Sequence, residues 1–155
     1  MPIKFIGIVG AGQMGNGIAQ LALQKGYHVL MQDALEPAVV RGKETIVKNL
    51  AKSVEKGKLT VEEKEVALAK LSTTTSLEDF KKVDLVVEAA TEREIVKLEI
   101  FKKLDEMCLP DAILTSNTSS ISITKIAAAT RRPERVMGMH FMNPVPLMKL
   151  VEVIR

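Results

Sequence analysis

The stretch "IKFIGIVGAGQMGNGIAQLALQKGY" constrains what this chain can fold into more than any other. Its first residues are a short apolar, β-branched run, which reads as a buried strand. Gly10, Gly12 and Gly15 follow. From Met14 to Lys25 the apolar positions Ile18, Leu21 and Ala22 form a helical stripe that Gly26 should stop. A G-x-G-x-x-G pattern alone is a weak signal, but here it sits between a strand and a helix. Gly10 then suits the tight turn, Gly12 lets backbone approach a pyrophosphate, and Gly15 lets the helix pack close to the strand. The helix N-terminus offers free N–H groups to phosphate oxygens.

Asp33 supplies the second half of this test. It closes the next strand-like run, "YHVLMQD", eighteen residues after Gly15. A carboxylate there can accept both hydroxyls of an adenosine ribose and repels a 2′-phosphate. Ala34 and Leu35 follow, with no arginine to hold such a phosphate. NAD is therefore expected rather than NADP.

The rest of the chain alternates helical and strand-like runs. Val39, Lys43, Ile46, Leu50 and Val54 mark a long helix ended by Gly57. Thr60 and Glu63 form a capping-box pattern before a helix carrying Val66, Ala69 and Leu71. Val83 to Val87 reads as a strand. Thr91 and Glu94 repeat the capping pattern before a helix with Ile95, Leu98, Phe101, Leu104 and Cys108. "AILTS" is a further strand, followed by a short helix from Ser122 to Ala129. "RVMGMHF" and "LMKLVEVI" read as two final strands. This alternation predicts an α/β fold, a Rossmann-type, doubly wound and mostly parallel sheet with helices on both faces. A long helix pair is inserted after the second strand. The 155 residues amount to one domain, 1–155.

Composition removes several alternatives. A net charge of +3, one tyrosine and no tryptophan argue against nucleic acid. One cysteine and two histidines cannot build a zinc cage or an internal disulfide, so no metal is expected. No apolar run is long enough to span a bilayer, and no leader is seen, so the expected compartment is the cytoplasm, or the mitochondrial matrix for a trimmed mature form.

His140 falls at the end of a predicted strand, where open α/β sheets bind ligands. Glu152 lies in the next strand, and counting by twos puts it on a face with Met148, Leu150 and Ile154. A carboxylate among these is costly to bury without a partner, and His140 is the obvious one. Paired, they make a general base with a carboxylate behind it. Spacing alone leaves open a surface glutamate and a histidine satisfied by backbone. His28, without an acidic neighbour in sequence, is expected to be structural or exposed.

Taken together, "GAGQMGNGIAQ", "VVEAATERE", "SNTSSISI" and "GMHFMNPVPLMKLVEVI" resemble the 3-hydroxyacyl-CoA dehydrogenases, the 3-hydroxybutyryl-CoA dehydrogenases above all, and the resemblance covers the whole chain. It implies reversible hydride transfer between NAD and a (3S)-3-hydroxyacyl-CoA, giving the 3-oxoacyl-CoA. His140 would exchange the hydroxyl proton, Glu152 would orient it, and Ser119 would hydrogen-bond the substrate oxygen. Gly10, Ala11, Gly12, Gln13, Met14 and Gly15, with Asp33, would hold the adenine half of NAD. Glu92, Lys97, Ser119 and Asn143 match positions lining the nicotinamide half. Lys56 matches a CoA-contacting position, while Asn49 stands where some members have serine. Read alone, Ser119 is a turn or helix-cap residue, Glu92 and Lys97 an ordinary charged pair, and Asn49 and Lys56 solvated helix residues.

Members of that family continue into a helical domain that adds an active-site asparagine, closes the cleft and makes a homodimer. The resemblance thus implies an NAD-binding domain without its C-terminal helical partner, in which cofactor binding survives better than turnover. Two other readings remain: a non-catalytic NAD-binding or sensing module, and a 3-hydroxyacid dehydrogenase acting on free acids. "HFMNPVPLMKLVE" argues against the latter.

Overall fold

A computed structural model of the chain describes residues 2–147 and 150–155. Its centre is a seven-stranded sheet: β1 (Phe5–Val9), β2 (His28–Gln32), β3 (Leu71–Thr74), β4 (Leu85–Glu88), β5 (Ile113–Ser116), β6 (Val136–Phe141) and β7 (Val151–Ile154). The spatial order is β3-β2-β1-β4-β5-β6-β7, and among the described residues only the β6–β7 pair is antiparallel. The helices are α1 (Gln13–Gln24), α2 (Glu36–Glu55), α3 (Val61–Ala69), α4 (Glu94–Met107) and α5 (Ile123–Ala128).

Strand alternation divides the apolar side chains between two cores. Ile6, Ile8, Val29, Met31, Leu85 and Val87 pack with Ile18, Ile46 and Leu50 on the α1–α2 face. Val86, Leu114 and Val136 pack with Phe80, Phe101, Leu104 and Ile126 on the opposite face, under α4 and α5. Burial on both faces is why the central strands read as unbroken apolar runs. The sheet is thus doubly wound and mostly parallel, as expected, with the α2–α3 pair between β2 and β3.

The local rules that succeeded act over a few residues. Thr60 Oγ1 accepts from the Glu63 N–H at 3.0 Å, and Glu63 Oε1 accepts from the Thr60 N–H at 3.0 Å, closing the expected capping box of α3. Three readings need correction. The stripe assigned through Leu71 ends at Ala69, and Leu71 opens β3, pairing with Val29. That strand is a sheet edge with its serine and threonines largely in water, so it lacks an apolar signature. The second capping pattern is not formed: α4 starts after Arg93, and Thr91 Oγ1 instead accepts from the Arg93 N–H at 3.0 Å in a tight turn. The last strand is shorter than "LMKLVEVI". Leu147 lies in a turn, β7 starts at Val151, and Met148 and Lys149 lie outside the described residues.

A buried clamp ties α4 to the segment leading into β6. Arg132 Nε donates to Asp105 Oδ1 at 2.8 Å, and its terminal nitrogens reach the carbonyls of Leu109 at 2.6 Å and Asp105 at 2.9 Å. Desolvation pushes the Asp105 carboxyl upward, but hydrogen bonds from the Arg131 N–H and the Arg132 guanidinium outweigh it and hold the group below the ordinary carboxylate range. A depressed folded-state value means the stabilisation is present above the unfolded-state pKa and fades as pH falls through the folded-state one. Arg132→Ala should therefore cost about 1–3 kcal/mol in urea unfolding near neutral pH, because it removes charge-assisted hydrogen bonds from a half-buried carboxylate that keeps the Arg131 N–H. Asp105→Asn should destabilise less and less, relative to the wild type, as the buffer is made more acidic. A pH-independent difference would contradict the assignment. Burial pushes the neighbouring Cys108 thiol up to about 11, so it packs as an apolar side chain.

Candidate active site

At the C-terminal edge of the sheet, the chain leaves β1 for α1 on one face, and leaves neighbouring β4 for α4 on the other. This reversal opens a crevice, the usual ligand site of such sheets. A cleft of about 740 Å³ lies there, lined by Gly10, Asp33, Leu35, Thr91, Val96 and Lys103.

The glycine loop forms one wall. Gly10 has φ +103°, and a Cβ there would stand 2.7 Å from the Ala89 carbonyl oxygen. A Cβ on Gly15 would lie 1.8 Å from the Gly10 carbonyl oxygen, so the helix touches the turn directly. Around Gly12, by contrast, a Cβ would meet nothing within 4 Å among the described residues, which leaves its backbone open to an approaching group. Among the described residues, no side chain caps α1 at Gly12. Asn16, an unforeseen contributor, is buried and donates from Nδ2 to the carbonyls of Gly12 at 2.7 Å and Ala11 at 3.3 Å. It takes up the loop's acceptors and leaves the N–H groups of Gln13 and Met14 for an anion.

Asp33 directly follows β2. Its Oδ2 accepts from the Ala11 N–H at 3.0 Å and its Oδ1 from the Leu35 N–H at 3.1 Å. Each carboxylate oxygen keeps capacity for a further donor, as two ribose hydroxyls require. The open loop, the uncapped helix and the anchored carboxylate together fit a dinucleotide. Asp33→Ala should weaken NADH binding about 10- to 100-fold, the loss of one or two charge-assisted hydrogen bonds. It should also narrow the preference over NADPH. Fluorescence titration with both cofactors reads the two effects, and an unchanged preference would count against Asp33 as the ribose acceptor.

His140 and Glu152 are direct cross-strand partners in the antiparallel β6–β7 pair. His140 Nδ1 lies 3.8 Å from Glu152 Oε2. The reason given from sequence fails, though: the Glu152 side chain is 54% exposed, so burial does not force the pairing. Register does. Leu150 and Ile154 are also exposed, and Met148 is outside the described residues. His28 is exposed and stacks on Phe5, with ring centroids 4.9 Å apart.

The remaining positions divide. Gln13 Nε2 donates to Asn143 Oδ1 at 3.4 Å, so the glycine loop and the turn after β6 meet across the sheet edge. Glu92 and Lys97 do not form the ordinary helix pair. Glu92 Oε2 accepts from Thr118 Oγ1 at 2.9 Å and Ser120 Oγ at 2.8 Å, whereas Lys97 is 1% exposed and ion-paired with Glu88. Ser119 stands exposed in the loop after β5, and it is Ser122 that caps α5. Asn49 Nδ2 donates to Gln20 Oε1 at 3.1 Å, tying α2 to α1, and Lys56 is the exposed C-cap of α2. Glu88, Ser116 and Thr118 escaped sequence reasoning. Glu88 in the run "VVE" carried a signal, since a carboxylate ending a wholly buried strand needs a partner.

Residues 5–155 match the sequence profile of the 3-hydroxyacyl-CoA dehydrogenase NAD binding domain. The chain belongs to the 3-hydroxyacyl-CoA dehydrogenase family. It is 52% identical over 155 residues to a probable 3-hydroxybutyryl-CoA dehydrogenase of Bacillus subtilis, covering 100% of this chain and 54% of that protein. The crystal structure of (S)-3-hydroxybutyryl-CoA dehydrogenase from Ralstonia eutropha superposes with a TM-score of 0.95 at 49% identity, over 98% of this chain and 54% of that one. That of 3-hydroxybutyryl-CoA dehydrogenase from Escherichia coli K12 gives 0.96 at 46% identity, over 99% of this chain and 32% of that one. The chain thus spans about half, or less, of the length of the relatives it matches. As the family's NAD-binding domain, it takes NAD as its cofactor.

Proposed function

We propose that this chain serves an oxidoreductase moving hydride between NAD and a (3S)-3-hydroxyacyl-CoA, with 3-hydroxybutyryl-CoA and acetoacetyl-CoA as the first substrates to try. The observation that carries the reading is the His140–Glu152 pair at the edge of the same sheet that forms the dinucleotide crevice. Bound NAD supplies the hydride acceptor. The backbone of residues 10–15 and Asp33 bind its adenosine and pyrophosphate, and Glu92, Ser119 and Asn143 line the other end. His140 faces Glu152 through Nδ1, which leaves Nε2 to take the proton of the substrate hydroxyl as the C–O double bond forms. An imidazole does this near neutral pH, and a carboxylate behind it favours the imidazolium that results. In reduction the same proton returns to the carbonyl oxygen, which Ser119 steadies as a hydrogen-bond donor.

The substrate's CoA end would reach the α2–α3 pair, with Lys56 as a cation for phosphate. Partnership with a helical domain and a homodimer through it belong to the same proposal; relatives of about twice this length support the further domain. The test is NADH loss on adding acetoacetyl-CoA, with free acetoacetate as the control. Oxidation with the thioester alone supports the reading. Equal rates with both would favour a free-acid dehydrogenase, and NADH binding without turnover of either would favour a sensing module.

A further inference from the structure

His140 sits past the point where β6 loses a neighbour. β5 pairs with β6 only as far as Ser116 opposite Gly138, so Met139, His140 and Phe141 have no strand beside them on that side among the described residues. On the other side lies β7, with residues 152–154 exposed. One side chain fills the gap. Asn117, the residue that follows β5, directs Oδ1 at the Phe141 N–H and accepts from it at 2.8 Å. Its own N–H donates to the Glu88 carbonyl at 2.9 Å, so the residue that reaches across is itself held by β4. A backbone N–H in a half-buried place needs an acceptor, and here the parallel ladder has ended before it could supply one.

The consequence falls on His140. A Cβ on Gly138 would stand 3.1 Å from the Ile123 side chain of α5, and strand alternation puts His140 on that same face of the sheet. Asn117 opens the loop that carries Ser119 on its way to α5. One bond therefore spans the two groups assigned to the same substrate oxygen: His140, which takes the proton, and Ser119, which donates a hydrogen bond. The loop has fastenings of its own. Thr118 Oγ1 accepts from the N–H groups of Ser120 at 3.3 Å and Ile121 at 3.1 Å. The tip of β6 has the Asn117 bond, the exposed β7 and the buried Phe141 ring. Without the first of these, the tip is the part free to shift.

We infer that Asn117 is a positioning residue for His140, setting the general base at a fixed distance from Ser119. It acts through the Phe141 backbone and not on the substrate. This role rests on the proposed reaction, whereas the placement of the His140 ring is measurable without it.

The test follows acetoacetyl-CoA reduction and NMR spectra of the wild-type chain, Asn117→Ala and Asn117→Asp, with thermal midpoints as a check on folding. Asn117→Ala removes the acceptor. Its kcat should fall on the order of 10- to 100-fold, the effect of a catalytic group displaced by an ångström or less, with KM and NADH affinity changed by no more than about twofold. Asn117→Asp keeps an oxygen in the same place and should recover most of the rate. In a His140→Ala background, Asn117→Ala should slow the reaction no further, since both changes act at one point. Amide exchange at Phe141 should quicken in Asn117→Ala and not in Asn117→Asp. The chain has two histidines, so His28 serves as internal reference while the His140 ring signal shifts. Asn117→Gln, which moves the acceptor by one carbon–carbon bond, is read in place of the alanine variant if that one does not fold. Losses that add in the double variant, or an Asn117→Asp chain as slow as Asn117→Ala, would overturn the inference. So would a Phe141 amide and a His140 ring that do not respond. A wild-type chain without turnover would instead refute the proposed reaction, and amide exchange and the ring signal would still decide the placement.

Discussion

Replacing His140 with alanine is expected to slow acetoacetyl-CoA reduction about 100- to 10,000-fold, the usual contribution of a general acid–base group. NADH affinity should stay close to that of the unaltered chain, because the site proposed for the adenosine end is on β1, β2 and α1. The loss should appear in kcat more than in KM, since the proton moves only as the reaction proceeds. Glu152→Gln should be far milder. With the glutamate 54% exposed, its attraction for an imidazolium is screened, and such a pair is worth about 1 kcal/mol or less, roughly fivefold in rate. If both variants lost activity equally, Glu152 would be doing more than orienting a solvated ring. A His140→Ala chain that still reduced the thioester at the original rate would remove the proposed mechanism altogether.

Gly15→Ala should abolish measurable NADH binding, a loss of at least about 100-fold from displacing the loop by an ångström or so. The added methyl would stand 1.8 Å from the Gly10 carbonyl oxygen. Gly10 has no room to retreat. Its N–H is bonded to the Gln32 carbonyl at 2.6 Å, and its Cα hydrogens face Ala89. Overpacking of this kind also costs about 1–3 kcal/mol of stability. Gly12→Ala separates the two effects, because its methyl meets nothing within 4 Å. Its stability should change by no more than about 0.5 kcal/mol, yet its affinity for NADH should drop, since the methyl occupies the space through which a pyrophosphate approaches the backbone. Wild-type binding by Gly12→Ala would show that the phosphates lie elsewhere. Calorimetry and urea unfolding on both variants provide the comparison.

The sequence by itself determined whatever is decided within a turn or a strand's length. The glycine loop, Asp33 at the end of β2, the α3 capping box and the α2–α3 insertion were all legible, because steric limits and hydrogen-bonding needs there involve residues close along the chain. His140 and Glu152 were legible as a pair, but for the wrong reason: antiparallel register joins them, not the burial of a carboxylate. The tertiary structure alone decided the rest. Gln13 meets Asn143 across 130 residues, Arg132 finds Asp105 across 27, and Glu88 accepts from the Ser116 hydroxyl across 28. The edge strand β3 belongs to the same class, having no apolar signature of its own. In each case the partner is set by strand order. Strand order minimises exposed apolar area over the whole sheet at once, and no local stretch of sequence contains that sum.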